Sequence, residues 1–302
     1  MNAARPDAAP LVSVVCACYN MGRYVREAVD SVLAQDWPAV EVIVVDDGST
    51  DETPAALAAY ADDPRVVVIR QANAGQTAAK NAGLRAARGE YVGFCDADNA
   101  WLPGKLARQV PLLRANPRAG VVYGDVALID GEGRPLPTPP VERYGGRITG
   151  RLLEDNFVTF NTTLLPRRIV EEFGGFDESL RMAIDYDLWL RISTRYEFLY
   201  LPEPFVRYRI WGGQMSHRTE ERFASFVRLL EKFLAAHPGA VTAAEVRRGW
   251  AHTYVSRALW RARSGRPREA WRDFGRALRQ RPWDARLWRS AAAVALGRVR
   301  PR

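Results

Sequence analysis

Two segments, EVIVVDDGSTD at 41–51 and GEYVGFCDADNAW at 89–101, each carry an apolar run that stops abruptly at carboxylates. A buried parallel strand has this shape where it reaches the rim of a sheet, because its length must be apolar while its carboxyl end meets solvent or ligand. Asp46, Asp47, Asp96 and Asp98 are therefore expected at two such strand ends. Left unpaired, these acids would repel one another. A cation, or the donor groups of a nucleotide, should sit among them.

The surrounding pattern agrees. LVSVVCAC at 11–18, VEVIVV at 40–45, RVVVI at 65–69, EYVGFC at 90–95 and GVVYG at 120–124 read as short buried strands rich in β-branched residues. Helical stretches lie between them near 22–35, 53–60, 75–88 and 103–115. The alternation predicts an α/β fold, a mostly parallel sheet covered by helices on both faces, whose ligands bind at the carboxyl ends of the strands. Tyr19 and Asn20 fall at that end as well. Ser49, Thr50, Asp51 and Pro54 supply a helix start, with Gly48 freeing the turn before it. A turn and cap would explain Asp47, Gly48 and Ser49 by themselves, but Asp46 comes straight out of an apolar run.

The chain of 302 residues, 47% hydrophobic, is long enough for one large domain or for a domain with an appendage. Its 3 cysteines form no disulfide framework. Cys16 and Cys18 point to one face of a strand as core filling, Cys95 reads likewise, and a reducing compartment is expected. The opening MNAARPDAAP lacks the apolar centre of a signal peptide, and no apolar run is long enough to cross a bilayer. The expectation is a soluble cytoplasmic protein, or one held peripherally at the inner face of the membrane.

Taken together, VSVVCACYN at 12–20, VVDDGSTD at 44–51, NAGQTAAKNAG at 73–83, the DAD at 96–98, GGFDESL at 174–180 and DYDLWLRIS at 185–193 resemble a family 2 glycosyltransferase of GT-A fold. The resemblance runs from about residue 11 to about residue 217. It implies an enzyme that takes sugar from a UDP-, GDP- or dTDP-linked donor. Tyr19 and Asn20 would close over the nucleotide, and an acid of the Asp46 and Asp47 pair would bond its base or ribose. Asn73, Gly75, Lys80 and Asn81 would line the donor cleft, with Lys80 close to the diphosphate where the family commonly has arginine. Asp96 would reach the ribose, and Asp98 would bind Mn²⁺ or Mg²⁺ bridging the diphosphate, since hard carboxylate oxygens suit those ions.

Displacement at the anomeric carbon also needs a base for the acceptor hydroxyl. The family usually opens a helix with a Glu-Asp pair there. In this chain the pair reads Ile184-Asp185, so Asp185 takes the base position and inversion is the implied outcome. Asp187 is a second candidate, with the alternative that it faces the helix dipole as a first-turn acid. In VRYRIWGGQMSHR at 206–218, Trp211 stands where the family often has histidine. His217 is a candidate substitute for that imidazole. Arg207 and Arg209 either reach the diphosphate or make salt bridges to the sheet. Residues 125–160, with PLPTPP and Gly145-Gly146, read as a surface loop on the acceptor side. Phe157, Phe160, Asn161 and Thr162 read equally as acceptor wall or core.

Beyond 217 the pattern is helical, dividing the chain into a GT-A domain at 1–217 and an α-helical region at 218–302. Tyr254, Gly265, Ala270, Phe274, Ala277, Leu278 and Pro282 resemble a tetratricopeptide unit. Residues 220–302 hold 19 Lys and Arg against 7 Asp and Glu, so the net charge of +8 belongs to this tail. Its basic helices suit peripheral membrane contact; specific nucleic-acid binding is not expected. The function expected is metal-assisted transfer of sugar to a glycan or lipid-linked acceptor in polysaccharide or glycan synthesis. The alternative is a catalytically silent GT-A scaffold acting through its tail. A nucleotidyltransferase would show a Gly-rich, Arg-containing loop after the first strand, and CACYNMGRY is not one.

Overall fold

The computed structural model describes residues 9–214 and 219–298. Its strands, in chain order, are β1 (Val12–Cys18), β2 (Val40–Asp46), β3 (Val66–Arg70), β4 (Tyr91–Phe94), β5 (Ala100–Trp101), β6 (Ala119–Ile129), β7 (Leu164–Pro166) and β8 (Glu197–Arg209). Helices α1 (Val25–Leu33), α2 (Thr53–Leu57), α3 (Gln76–Ala86) and α4 (Lys105–Ala115) intervene among the first strands. α5 (Thr149–Leu152), α6 (Arg167–Glu172) and α7 (Ile184–Ser193) follow later in the chain.

All these strands join one curled, mostly parallel sheet in the order β3-β2-β1-β4-β7-β6-β8-β5. β1 lies between β2 and β4 and is parallel to both. A strand hydrogen-bonded on both edges and covered on both faces has to be apolar along its whole length. Val12, Val14, Val15 and Cys16 are accordingly almost fully buried. β7 runs antiparallel to β4 and β6, which turns the sheet, and β8 then pairs parallel with β6. Both carboxylate-ended runs therefore finish at the same rim, one strand apart. Gly83 sets how closely α3 covers β1, because a Cβ there would lie 2.5 Å from a methyl of Val15.

The five strands and four helical stretches read from the sequence are all present. One boundary moves. Residues 125–129 continue β6 instead of opening a loop, because the 13-residue β8 offers a partner as far as Arg209. The pairing adapts through register shifts on either side of Asp125. Phe157, Phe160, Asn161 and Thr162 are buried core. The cysteines at 16, 18 and 95 are free and buried.

The chain divides into two compact units. One runs up to Arg147 and resumes at Val158; the other joins Ile148–Phe157 to the helices that follow the first unit. Those helices are α8 (Thr219–Ala236), α9 (Ala243–Arg263), α10 (Pro267–Gln280) and α11 (Ala285–Ala295). α9 starts in a reciprocal cap between Thr242 and Glu245. α10 turns Ala270, Phe274 and Ala277 inward at helical spacing. Its Asp273, 0% exposed, is neutralised by Arg257 at 2.7 Å and Arg261 at 2.9 Å. Among the described residues, no helix is long and apolar enough to cross a membrane.

Candidate active site

β1 and β2 deliver two loops to the rim, and side chains stitch them together. The Asn20 amide donates to Ser49 Oγ at 2.9 Å, Met21 N–H to Thr53 Oγ1 at 2.8 Å and Gly22 N–H to Asp51 at 3.0 Å. In return Asn20 Oδ1 accepts from the Thr50 amide at 2.9 Å. Asn20 adopts a left-handed backbone (φ 53), a conformation asparagine tolerates better than most residues. Tyr19 beside it is 46% exposed, so its ring is free to meet a ligand.

Asp46 and Asp47 are both buried, and protein donors occupy them. Asp46 accepts from the Ser49 amide at 2.9 Å and faces Arg70 at 3.6 Å. Asp47 accepts from Gln71 Nε2 at 2.8 Å and from the amides of Ala74 and Gly75 at 2.9 and 2.8 Å. Asp47 thus anchors the loop that carries Asn73 and Gly75, and this loop opens α3. Gly48 (φ 77) is needed at the crossing, since a Cβ would lie 2.9 Å from the Asn73 nitrogen. Replacing Asp47 with alanine removes the shared acceptor of three part-buried donors, of which the Ala74 and Gly75 amides lie on exposed residues that water can reach. We expect Asp47→Ala to lose about 1–2 kcal/mol of stability, read from its urea midpoint. A variant as stable as the parent would remove the anchoring role.

α3 joins this rim to the second one. Lys80, nearly buried, places its ammonium 2.8 Å from Asp96 and 4.2 Å above the Phe160 ring. Asn161 completes the hold on Asp96: its Nδ2 donates to Asp96 Oδ2 at 2.9 Å, and its Oδ1 accepts from the Asp96 amide. The positive group demanded by the clustered acids is therefore Lys80 at Asp96 and Arg70 at Asp46. Asn81, further along α3, braces the 176–178 segment through Phe176 and Glu178.

Asp98 has a different environment. Its Oδ2 accepts from the Trp211 indole at 2.9 Å and from Gln214 Nε2 at 3.3 Å, while Oδ1 accepts from Asn99 at 2.9 Å. All three donors are neutral. Among the described residues no cation pairs with it, and burial, reinforced by the Asp96 charge, holds its carboxyl above the ordinary range. Trp211 is steadied by Tyr24, ring to ring at 5.6 Å. Arg209, almost fully buried, supports the loop from below. It donates to the Asp98 carbonyl at 3.0 Å and to the carbonyls of Asp130 and Gly131 at 3.2 Å, and it pairs with Glu27. Arg207 meets the same Glu27 at 3.2 Å. The acidic partner of both arginines is Glu27 of helix α1, not a residue of the sheet. His217 lies outside the described residues.

The last element is α7. Gln76 donates to the Arg181 carbonyl at 3.0 Å and Thr77 to that of Leu180 at 2.9 Å, tying the approach to α7 to the start of α3. Ala183 (φ 59) then turns the chain, and Asp185 sits half-buried in the first turn. Ile184, standing where the family has an acid, is buried. Asp187 faces inward and pairs with Arg191 at 2.7 Å; Arg191 also donates to the carbonyls of Phe173 and Gly175.

The donor set suits a hard divalent ion. Magnesium characteristically takes one or two protein carboxylates and completes its shell with phosphate and water. Asp98 supplies such oxygens, whereas those of Asp96 are held by Lys80 and Asn161. Among the described residues no group of three or more His, Cys, Asp and Glu is placed to hold a metal, so a ligand's phosphates would have to complete the shell. Asn99, Gln214, Glu27 and Gln71 enter the site without having been singled out in the sequence. Asn99 carried a signal, an amide directly after the acid pair; Glu27 lies too far from Arg209 in the chain to carry one.

The sequence and fold match known proteins. The model of glycosyl transferase family 2 matches residues 13–172. An uncharacterized glycosyltransferase of Rickettsia prowazekii (strain Madrid E) is 31% identical over 230 residues, 74% of this chain and 72% of the relative. One from Rickettsia typhi (strain ATCC VR-144 / Wilmington) is 32% identical over 233 residues, with the same coverage of 74% and 72%. In structure the chain is similar to S. aureus TarS 1-349 in complex with UDP-GlcNAc, with TM-score 0.70, 16% identity and coverage of 96% of this chain and 88% of that one. It is also similar to the mannosyltransferase PcManGT from Pyrobaculum calidifontis in complex with GDP-Man and Mn²⁺, with TM-score 0.67, 22% identity and coverage of 97% and 81%. At these identities the structural likeness speaks for the fold, which is of GT-A type with C-terminal helices. The chain belongs to glycosyl transferase family 2.

Proposed function

We propose that, as a member of glycosyl transferase family 2, this protein moves a sugar from a UDP-, GDP- or dTDP-linked donor to an acceptor hydroxyl with inversion at the anomeric carbon. The observation that carries the reading is Asp98: a carboxylate at the end of a sheet strand, whose hydrogen-bond partners among the described residues are all neutral donors. A bound Mg²⁺ or Mn²⁺ would neutralise the diphosphate as it departs. Asp98 is the residue to hold that ion, with Asp96 toward the ribose. Tyr19 and Asn20 border the nucleotide. Asn73 and Gly75 line its cleft, and Asp46 and Asp47 shape the base and ribose end through the loops they anchor. Lys80 pairs with Asp96 and orients it.

Asp185 takes the proton of the acceptor hydroxyl while the new C–O bond forms on one face of the anomeric carbon. The bond to the diphosphate breaks on the other face, and the nucleoside diphosphate leaves with that electron pair. The acceptor is a glycan or lipid-linked sugar of polysaccharide or glycan synthesis, met from the cytoplasmic side. Thermal unfolding with UDP, GDP, dTDP and CDP, each with and without Mn²⁺, tests this. We expect one nucleotide to raise the apparent Tm, and to do so only with metal. No shift with any of them would favour a silent scaffold instead.

A further inference from the structure

The turn between α10 and α11 carries an aromatic knuckle that the transferase reading does not use. Trp283 is 94% exposed and Trp288, in the first turns of α11, is 55% exposed. The Trp288 indole donates to the Pro282 carbonyl at 2.8 Å, which fixes one ring beside the turn that presents the other. Neither ring takes part in the interior of these helices, made by Ala258, Ala270, Phe274 and Ala291 in one cluster and by Ala251, Ala277 and Leu287 in another. Arg279, Arg286 and Arg289 are exposed around the knuckle, and among the described residues none of the three has a carboxylate partner. Indole favours the boundary between apolar and wet phases, and unpaired guanidinium groups favour phosphate.

We propose that this knuckle seats in the headgroup region of an anionic phospholipid bilayer, with Trp283 and Trp288 at the acyl boundary and Arg279, Arg286 and Arg289 on lipid phosphates. Charge complementarity selects this occupant. A second copy of the chain, docked about a two-fold axis, would bring the same unpaired arginines against one another. The attachment is peripheral, through one turn and its flanking side chains, and it is independent of catalysis.

The test is co-sedimentation of the full chain with vesicles of phosphatidylcholine alone and of phosphatidylcholine with an equal part of phosphatidylglycerol. Binding is expected only to the anionic vesicles. It should weaken severalfold in Trp283→Ala and roughly fivefold for each arginine neutralised, as in Arg286→Gln. Because Trp283 is almost wholly exposed, Trp283→Ala should keep the parent Tm and the parent nucleotide response, which separates this proposal from the transferase reading. Failure to bind anionic vesicles would overturn it. So would undiminished binding by Trp283→Ala, the mark of charge alone that a nucleic acid would serve equally, or a dimer in light scattering that Trp283→Ala dissolves.

Discussion

Asp98→Ala is expected to abolish the metal-dependent stabilisation by nucleotide and to lower turnover roughly a thousandfold, several kcal/mol of transition-state stabilisation. A ligand at about a hundred times its Kd adds about 2.7 kcal/mol to the folded state, so the loss will be plain in a melting curve. Asp98→Asn separates binding from folding. Burial and Asp96 raise the folded pKa of Asp98 above its unfolded value. A carboxylate shifted this way contributes stability that is complete below the unfolded pKa and lost as pH rises through the folded one. At neutral pH its charge therefore costs stability. The amide oxygen of Asp98→Asn can still accept from the Trp211 indole, while its NH2 loses the bond from Asn99. Relief of the buried charge and loss of that bond oppose each other, so the ligand-free variant should melt close to the parent while failing to respond to nucleotide and metal. A variant that melts lower yet keeps the metal response would remove Asp98 from the proposed role. Trp211 matters to the same measurement, since its indole and Gln214 both donate to one of the two carboxylate oxygens that a metal ion would need.

Asp185→Asn is the second large effect. Asparagine keeps the size of the side chain and removes the basic oxygen. Turnover should fall by roughly a hundredfold to ten-thousandfold, the usual contribution of a positioned base. The nucleotide-induced rise in Tm should stay as in the parent. Asp187→Asn is the contrasting variant. It weakens an inward ion pair with Arg191 inside α7, so its effect should fall on stability rather than on turnover. Should Asp187→Asn lose turnover while Asp185→Asn keeps it, the base would be Asp187. The departure from the family at Ile184 sharpens the comparison, because no neighbouring acid at that position tunes Asp185.

The strands that build the sheet were readable because an apolar run closed by acids is a local pattern: the same few residues that must be buried are contiguous. The start of α3 was readable for a similar reason, in the NAGQTAAKNAG stretch that puts Gly75 before the helix and Lys80 one turn into it. What Lys80 does was only partly so. Its partner Asp96 was recognisable as an acid at a strand end, but the Asn161 and Phe160 that frame the pair come from a segment read equally as acceptor wall or core. The strand beyond Gly124 was missed because Asp125 breaks the apolar run, and only pairing with β8 carries β6 across that break.

The sequence alone determined the α/β class, the rim at which ligands bind and the acids brought there, since those depend on period and composition within a few residues. The tertiary structure decided which partners each of these acids meets. Asp47 became a loop anchor because Gln71, Ala74 and Gly75 converge on it, and Arg209 became a support because Glu27 and the Asp98 carbonyl meet it. Asp98 kept neutral partners because Trp211 and Gln214 reach it from the other end of the unit. A carboxylate's role is set by the donors and charges within a few ångströms, and those arrive from distant parts of the chain only when it folds.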